Sequence, residues 1–232
     1  MPAKQSQPID LYFWNTPNGF KISIAIEELG VAYATHFVNI GKGDQFNPEF
    51  LAISPNNRIP AIVDPEGPDG APISIFESGA ILIYLGEKFG GIYPSDARGR
   101  VAVNEWLIWQ VANVGPIFGQ NNHFRNYSKE KLPYAITRFV DETHRLYGVL
   151  DRRLQGRDFM AGGYSIADIA TFGWIRGWDR RGIDIAEFPN VKAWHDRVEA
   201  RPAVQRGLAL KPPATVSLAS DEEARKILYG QR

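Results

Sequence analysis

The chain contains no cysteine in 232 residues. That absence excludes a disulfide scaffold, a thiolate zinc site and a redox-active protein thiol, and it permits a reducing compartment. Any sulfur chemistry has to arrive on a ligand. Net charge is also absent, because 26 Lys and Arg balance 26 Asp and Glu. With no Lys/Arg block either, nothing in the sequence favours a nucleic acid or an acidic membrane surface, and a small neutral or zwitterionic ligand fits better. No stretch approaches the roughly 20 apolar residues of a membrane helix. The segment MPAKQSQPIDLYFWN has no apolar run of signal-peptide type, so a cytoplasmic protein is expected. The 4 histidines lack the spacing of a metal site, and no metal is expected. There is no internal repeat or low-complexity segment.

What is present divides into two parts. Ile9–Trp14 is a short apolar and aromatic run that predicts a first strand, stopped by the turn-rich NTPNG. Ile22, Ala25, Ile26 and Leu29 recur at helical spacing, and Gly30 stands where a left-handed cap is wanted. A second strand is expected over 33–39 and a short helix over 48–53, with Pro48 in its first turn. Strands at 59–64 and 73–76 flank PEGPDGAP, the loop of an antiparallel hairpin, and a helix follows over 78–89. After this β-α-β-α-β-β-α order every pattern is helical. One apolar stripe runs from Val103 to Val114 and is expected to stop at Gly115 and Pro116, and another spans Ile136–Leu154. SIAD offers a capping box between Ser165 and Asp168, and a last helix covers 191–200. Five tryptophans (106, 109, 174, 178 and 194) fall on predicted helices, where core or interface packing is their expected role. The expected domains are 9–92, an α/β unit, and 98–210, all-helical, followed by a tail at 211–232 with a turn or two of amphipathic helix.

Two segments carry chemistry. In NNRIPAI (56–62), Pro60 forces Ile59 toward an extended conformation at the mouth of a strand. If the Ile59–Pro60 bond is cis, the Ile59 backbone can pair with an extended peptide as an added strand; an ordinary trans proline opening the strand is the alternative. In FESGAIL (76–82), Glu77 and Ser78 stand at a helix N-terminus, whose free N–H groups suit a carboxylate, while the Glu side chain can hold an ammonium group. The alternative for Ser78 is helix capping alone.

Together and in this order, these segments resemble the glutathione transferase family, over residues 9 to about 210. The resemblance implies a thioredoxin-like N-terminal domain followed by an all-helical C-terminal domain (α/β plus all-α). It also implies that Pro60 is cis, that Ile59 pairs with the cysteinyl backbone of glutathione, and that Glu77 and Ser78 hold the γ-glutamyl end. TPNG, GKGDQF, SPNNRIP, FESGAIL, GPIFGQNNHF and PYAITRF are similar to bacterial nu-class enzymes and their fungal nitrogen-regulator relatives, without the Asn/Gln-rich extension of the latter.

The nu-class resemblance further implies a disulfide-bond reductase that uses two glutathione molecules, or glutathione disulfide, as co-substrate, works as a homodimer and has weak transferase or peroxidase activity. Thr16 and Asn18 are the implied thiol-activating pair, with turn formation and helix capping as the alternative. Gln45 matches a glutathione-contacting position. Arg138 matches a basic residue reaching the ligand from the helical domain, with a solvated helix face as its alternative. Phe118–Phe124, including His123, falls where the family forms its second-substrate pocket. The rivals are a conventional transferase joining glutathione to apolar electrophiles, and a non-catalytic binding or regulatory protein.

Overall fold

The structure is a computed structural model and describes residues 5–213 and 221–230. It divides into two compact units, one formed by the described residues of Met1–Gly91 and Ala203–Arg232, the other by Ile92–Pro202.

In the first unit β1 (Ile9–Phe13), α1 (Pro17–Leu29), β2 (Tyr33–Phe37), α2 (Pro48–Ile53), β3 (Ala61–Asp64), β4 (Ile73–Phe76) and α3 (Ser78–Phe89) follow in the expected order. The sheet order is β2-β1-β3-β4. β1 runs parallel to β2 and antiparallel to β3, which pairs antiparallel with β4. Parallel pairing of β1 and β2 requires a crossover, and α1 supplies it. Ile9, Leu11 and Phe13 alternate inward along β1, as a period of two demands. α1 packs against α3, and both have buried apolar faces. A second cluster of Trp14, Val38, Phe50, Ile59 and Ala61 involves α2. β3 begins after Pro60, later than the expected 59, because a proline has no N–H for the ladder. β1 and β2 are likewise shorter than expected, ending at Phe13 and Phe37.

In the second unit α4 (Ala97–Trp109) starts at Asp96, whose carboxylate accepts from Gly99 N at 2.8 Å. It does not lead to a stop at Gly115. A π turn over 110–114 joins it to α5 (Gly115–Asn122), and a second π turn over 123–127 extends the run. Gly115 N donates to Gln110 O, five residues back. This wider turn immediately precedes Pro116, which has no N–H for the ordinary helical ladder, so the chain stays helical through a residue that normally breaks it. α6 (Pro133–Leu154), α7 (Ile166–Ile175) and α8 (Pro189–Glu199) complete the unit. Trp174 and Trp194 are buried as expected, whereas Trp178 lies in a turn before a short 3-10 segment rather than on a helix.

α7 holds the unit's polar hub. Asp168 is fully buried, and its carboxylate accepts from Ser165 N (3.1 Å), Ser165 Oγ (3.2 Å), Met160 N (3.0 Å) and Trp194 Nε1 (2.9 Å). The Ser165–Asp168 capping box is formed. Burial pushes the Asp168 carboxyl above its ordinary range, and the four donors oppose that.

The helical domain was expected to run to 210 with its last helix at 191–200; a further helix, α9 (Pro202–Ala209), follows instead, and from Ala203 onward the chain belongs with the first unit. Ser23 Oγ donates to Gly207 O at 2.9 Å, and Arg206 Nε meets Glu27 at 2.6 Å. A Cβ on Gly207 would come within 2.7 Å of the Ile24 backbone, so only glycine permits this approach. Of the expected tail, 214–220 and 231–232 lie outside the described residues. α10 (Glu222–Tyr229) supplies the expected amphipathic turns, capped by Asp221 accepting from Ala224 N. It borders an open groove of about 770 Å³ with Lys42, Gly43, Phe46 and Asn57.

Candidate active site

Three stretches of the first unit close around a cleft of about 230 Å³, lined by Asn18, Ser54, Arg58, Ile59, Pro60, Phe76, Glu77 and Ser78. Asn18 comes from the first turn of α1. The TPNG turn that presents it is tight: a Cβ on Gly19 would lie 2.1 Å from Trp14 O, a contact that only glycine avoids. Thr16 is the N-cap, its Oγ1 accepting from Gly19 N at 3.1 Å. The capping alternative is therefore the work Thr16 does here, and Asn18 rather than Thr16 lines the cleft.

The opposite wall is the loop into β3. The Ile59–Pro60 bond is cis, as the resemblance implied. Ser54 Oγ donates to Arg58 O at 2.8 Å and ties this loop to the end of α2. Arg58, exposed at the cleft, places a guanidinium there that the sequence reading did not single out.

The floor is the junction of β4 and α3. Glu77 is the residue before α3 and has φ 67° and ψ 112°, a left-handed conformation that side-chain-bearing residues rarely adopt and that costs about 1–3 kcal/mol. Its side chain makes no capping bond, and Asn56 Nδ2 donates to its Oε1 at 3.4 Å. Ser78 is thus the first residue of α3 and not its N-cap. Lys21 Nζ donates to Ser78 Oγ at 3.2 Å. Lys21 is 2% exposed, and burial lowers its pKa from 10.5 to about 7 against the opposing attraction of Glu77. Sequence reasoning missed Lys21. The available signal was its isolation: it is the one charge in the run Gly19–Ile26, within a helix buried on nearly every side.

The remaining expected residues lie elsewhere. Gln45 is buried in the 3-10 turn after β2, its Nε2 donating to Ile40 O at 3.3 Å, and it does not line this cleft. Arg138 stands on α6 of the helical unit, on its exposed side. In the expected second-substrate segment, Phe118 and Asn121 turn inward. Phe118 stacks on Tyr147 with centroids 5.4 Å apart, and Asn121 Nδ2 donates to Thr143 Oγ1 and Arg181 O. His123 packs edge-on against Phe124, and partial burial lowers its pKa. His195, Asp196 and Glu199 of α8 bring potential metal ligands within 4.8 Å of one another. Lys192 pairs with Asp196 and Arg176 with Glu199.

Chemically, the cleft offers a strained carboxylate, a helix N-terminus with a hydroxyl, a buried lysine behind it, a side-chain amide and an exposed guanidinium. Such a set suits an extended ligand carrying both an ammonium and a carboxylate.

Two family models match this chain. One, described as glutathione S-transferase, N-terminal domain, covers residues 7–87; the other, glutathione S-transferase, C-terminal domain, covers residues 128–202. The chain is 52% identical over 202 residues to the disulfide-bond oxidoreductase YfcG of Escherichia coli (strain K12), an alignment covering 86% of this chain and 94% of that protein. A solved glutathione transferase family member from Pseudomonas fluorescens pf-5, with two glutathione bound, matches with a TM-score of 0.84 and 45% identity over 89% of this chain and 95% of its own. A glutathione transferase from Pseudomonas putida, with one glutathione disulfide bound per subunit, matches with a TM-score of 0.85 and 44% identity over 92% and 95%.

Proposed function

This chain belongs to the glutathione S-transferase family, and from that premise we propose that it is a glutathione-dependent disulfide-bond reductase of the nu-class type. The observation that carries the reading is a cleft whose lining suits a zwitterion, in a chain without cysteine. A glutaredoxin-like route needs a protein thiol and is closed here. Both working sulfurs on the enzyme's side are those of glutathione. One glutathione thiolate attacks a sulfur of the substrate disulfide, forming a mixed disulfide and releasing the first substrate thiolate. The second glutathione thiolate attacks the glutathione sulfur of that mixed disulfide, releasing the second substrate thiolate and glutathione disulfide. The two electrons that reduce the substrate come from the two glutathiones.

The protein's part is to orient and ionise. Ile59 and Pro60 align the cysteinyl backbone, Glu77 holds the γ-glutamyl ammonium, and Ser78 with the α3 N-terminus holds its carboxylate. Asn18 donates to the thiolate at the start of α1, whose end field together with that bond lowers a thiol pKa from about 8.5. Thr16 shapes the turn that presents Asn18, and its hydroxyl proton remains for the sulfur. Arg138 supplies a cation from the helical domain, Gln45 braces the loop beside the site, and the protein works as a cytoplasmic homodimer. Among the described residues no helix is long and apolar enough to cross a membrane. The solved relatives holding two glutathiones or glutathione disulfide favour this reading over simple conjugation, which needs one.

Parallel assays with hydroxyethyl disulfide and a halogenated nitrobenzene decide between them. Disulfide reduction is expected to dominate, with weak conjugation and peroxide reduction beside it. Conjugation much faster than disulfide reduction would establish the conventional transferase instead.

A further inference from the structure

Lys21 belongs to none of the motifs that point to the family, and it is buried where a lysine is expensive. It reaches the site by donating from α1 across to the first residue of α3. We propose that Lys21 is a positioning residue of the cleft: by donating to Ser78 Oγ from the buried side, it turns the Ser78 hydroxyl proton toward a carboxylate in the cleft. The proposal rests on the glutathione reading and identifies the group that governs its γ-glutamyl carboxylate.

An ammonium has donors and no acceptor, so in the Lys21–Ser78 bond the serine oxygen must accept. A serine hydroxyl has one proton to give. With Lys21 charged, that proton cannot go back to the lysine, and Ser78 lines the cleft, where the ligand's carboxylate is its acceptor. Neutral Lys21 has a lone pair instead. It can then accept from Ser78, which withdraws the donor from the cleft while the positive charge behind the α3 N-terminus disappears. Both changes weaken carboxylate binding, so one proton controls a donor and a charge together.

Glu77, the N-cap of α3, is a charged group that faces Lys21. Other charges on the neighbouring elements have partners of their own: Lys88 of α3 with Asp64 of β3, Glu27 of α1 with Arg206 of α9, and Asp10 of β1 with His36 of β2. Burial outweighs Glu77 and brings Lys21 to a pKa of about 7. The sign follows. Below that pH the empty cleft holds a charged Lys21 and a ready donor; above it the lysine is neutral, and a carboxylate must bring a proton back to it in order to bind. Affinity therefore falls as pH rises through neutrality, by about tenfold from pH 6 to pH 8 if only the charged form is competent.

The probe is S-hexylglutathione, a thioether with no thiol to ionise. Titration calorimetry at pH 8, in two buffers of different ionisation enthalpy, reads the protons taken up on binding. The wild-type protein is expected to take up most of one proton at pH 8 and almost none at pH 6. Lys21→Met is expected to lose that uptake and to bind about tenfold more weakly at pH 6. Lys21→Arg keeps its charge at every pH, and it should bind without the proton uptake due to Lys21 and without the fall in affinity above neutrality. S-Hexylglutathione binding to the wild type with no proton uptake at pH 8 would overturn the role of Lys21, as would uptake persisting undiminished in both variants. No binding to the wild type at any pH would instead overturn the glutathione reading beneath it.

Discussion

Two helix N-termini in this molecule each have a buried ionisable side chain beside them, and they use it in opposite ways. At α7, the Asp168 carboxylate receives four donors from its own chain, two of them from Ser165 and one each from Met160 and Trp194. The aspartate is fully buried. At α3, Glu77 sits at φ 67° without a side-chain cap, and Lys21 supports Ser78 from behind while Ser78 faces an open cleft. The first terminus is closed and serves the scaffold. The second opens onto the cleft, with no side-chain cap from Glu77. A helix start satisfied by its own side chains contributes stability, and one left partly unsatisfied, at a cost in backbone strain, is available to a ligand.

The largest expected effect tests the closed terminus. Asp168→Ala leaves buried donors without an acceptor and should destabilise the protein by on the order of 3 kcal/mol, measured by urea unfolding. Asp168→Asn, which keeps an acceptor oxygen, should lose less. A loss below about 1 kcal/mol for the alanine variant would break the contrast, because the hub would then not be structural.

Next comes the strained residue of the open terminus. Glu77→Gly removes the unfavourable side chain at positive φ and should leave the melting temperature unchanged or raised, while glutathione affinity falls about tenfold or more, near 1.4 kcal/mol. Stability and binding would move in opposite directions, as strain held for function requires. A variant that loses stability and keeps its affinity would make Glu77 another scaffold residue.

The smallest effect separates two neighbours at α1. Thr16→Ala loses the cap on Gly19 N and should cost about 1 kcal/mol of stability, with a modest loss of disulfide-reductase rate. Asn18→Ala should cost little stability and more rate, since its side chain lines the cleft. Equal, near-wild-type rates in both variants would show that the backbone and helix field activate the thiol unaided.

Much of the architecture was legible because it rests on local rules. The β-α-β-α-β-β-α order, Gly30 as a left-handed cap at φ 63°, the hairpin around PEGPDGAP and the Ser165–Asp168 box all follow from residues within a few positions of one another. Gly115–Pro116 misled for the same reason. Local rules say that the pair ends a helix, whereas a π turn one step earlier removes the need for the missing N–H. The candidate site was legible in part. Ile59, Pro60, Glu77, Ser78 and Asn18 do meet at one cleft, while Thr16 caps, Gln45 turns inward and Arg138 stands on the other unit.

The sequence by itself determined that no protein thiol takes part, that an α/β unit precedes a helical one, and that NNRIPAI and FESGAIL resemble the segments of the family's glutathione cradle. Tertiary structure alone decided which side chains finish that cradle. Lys21 and Ser78 are 57 positions apart and meet because α1 and α3 pack together, and α9 returns to α1 because Gly207 lets two backbones approach. Periodicity assigns a residue to an element and a face. Whether a lysine within an apolar run escapes to water or stays buried depends on what packs over it, and that is a property of elements distant in sequence.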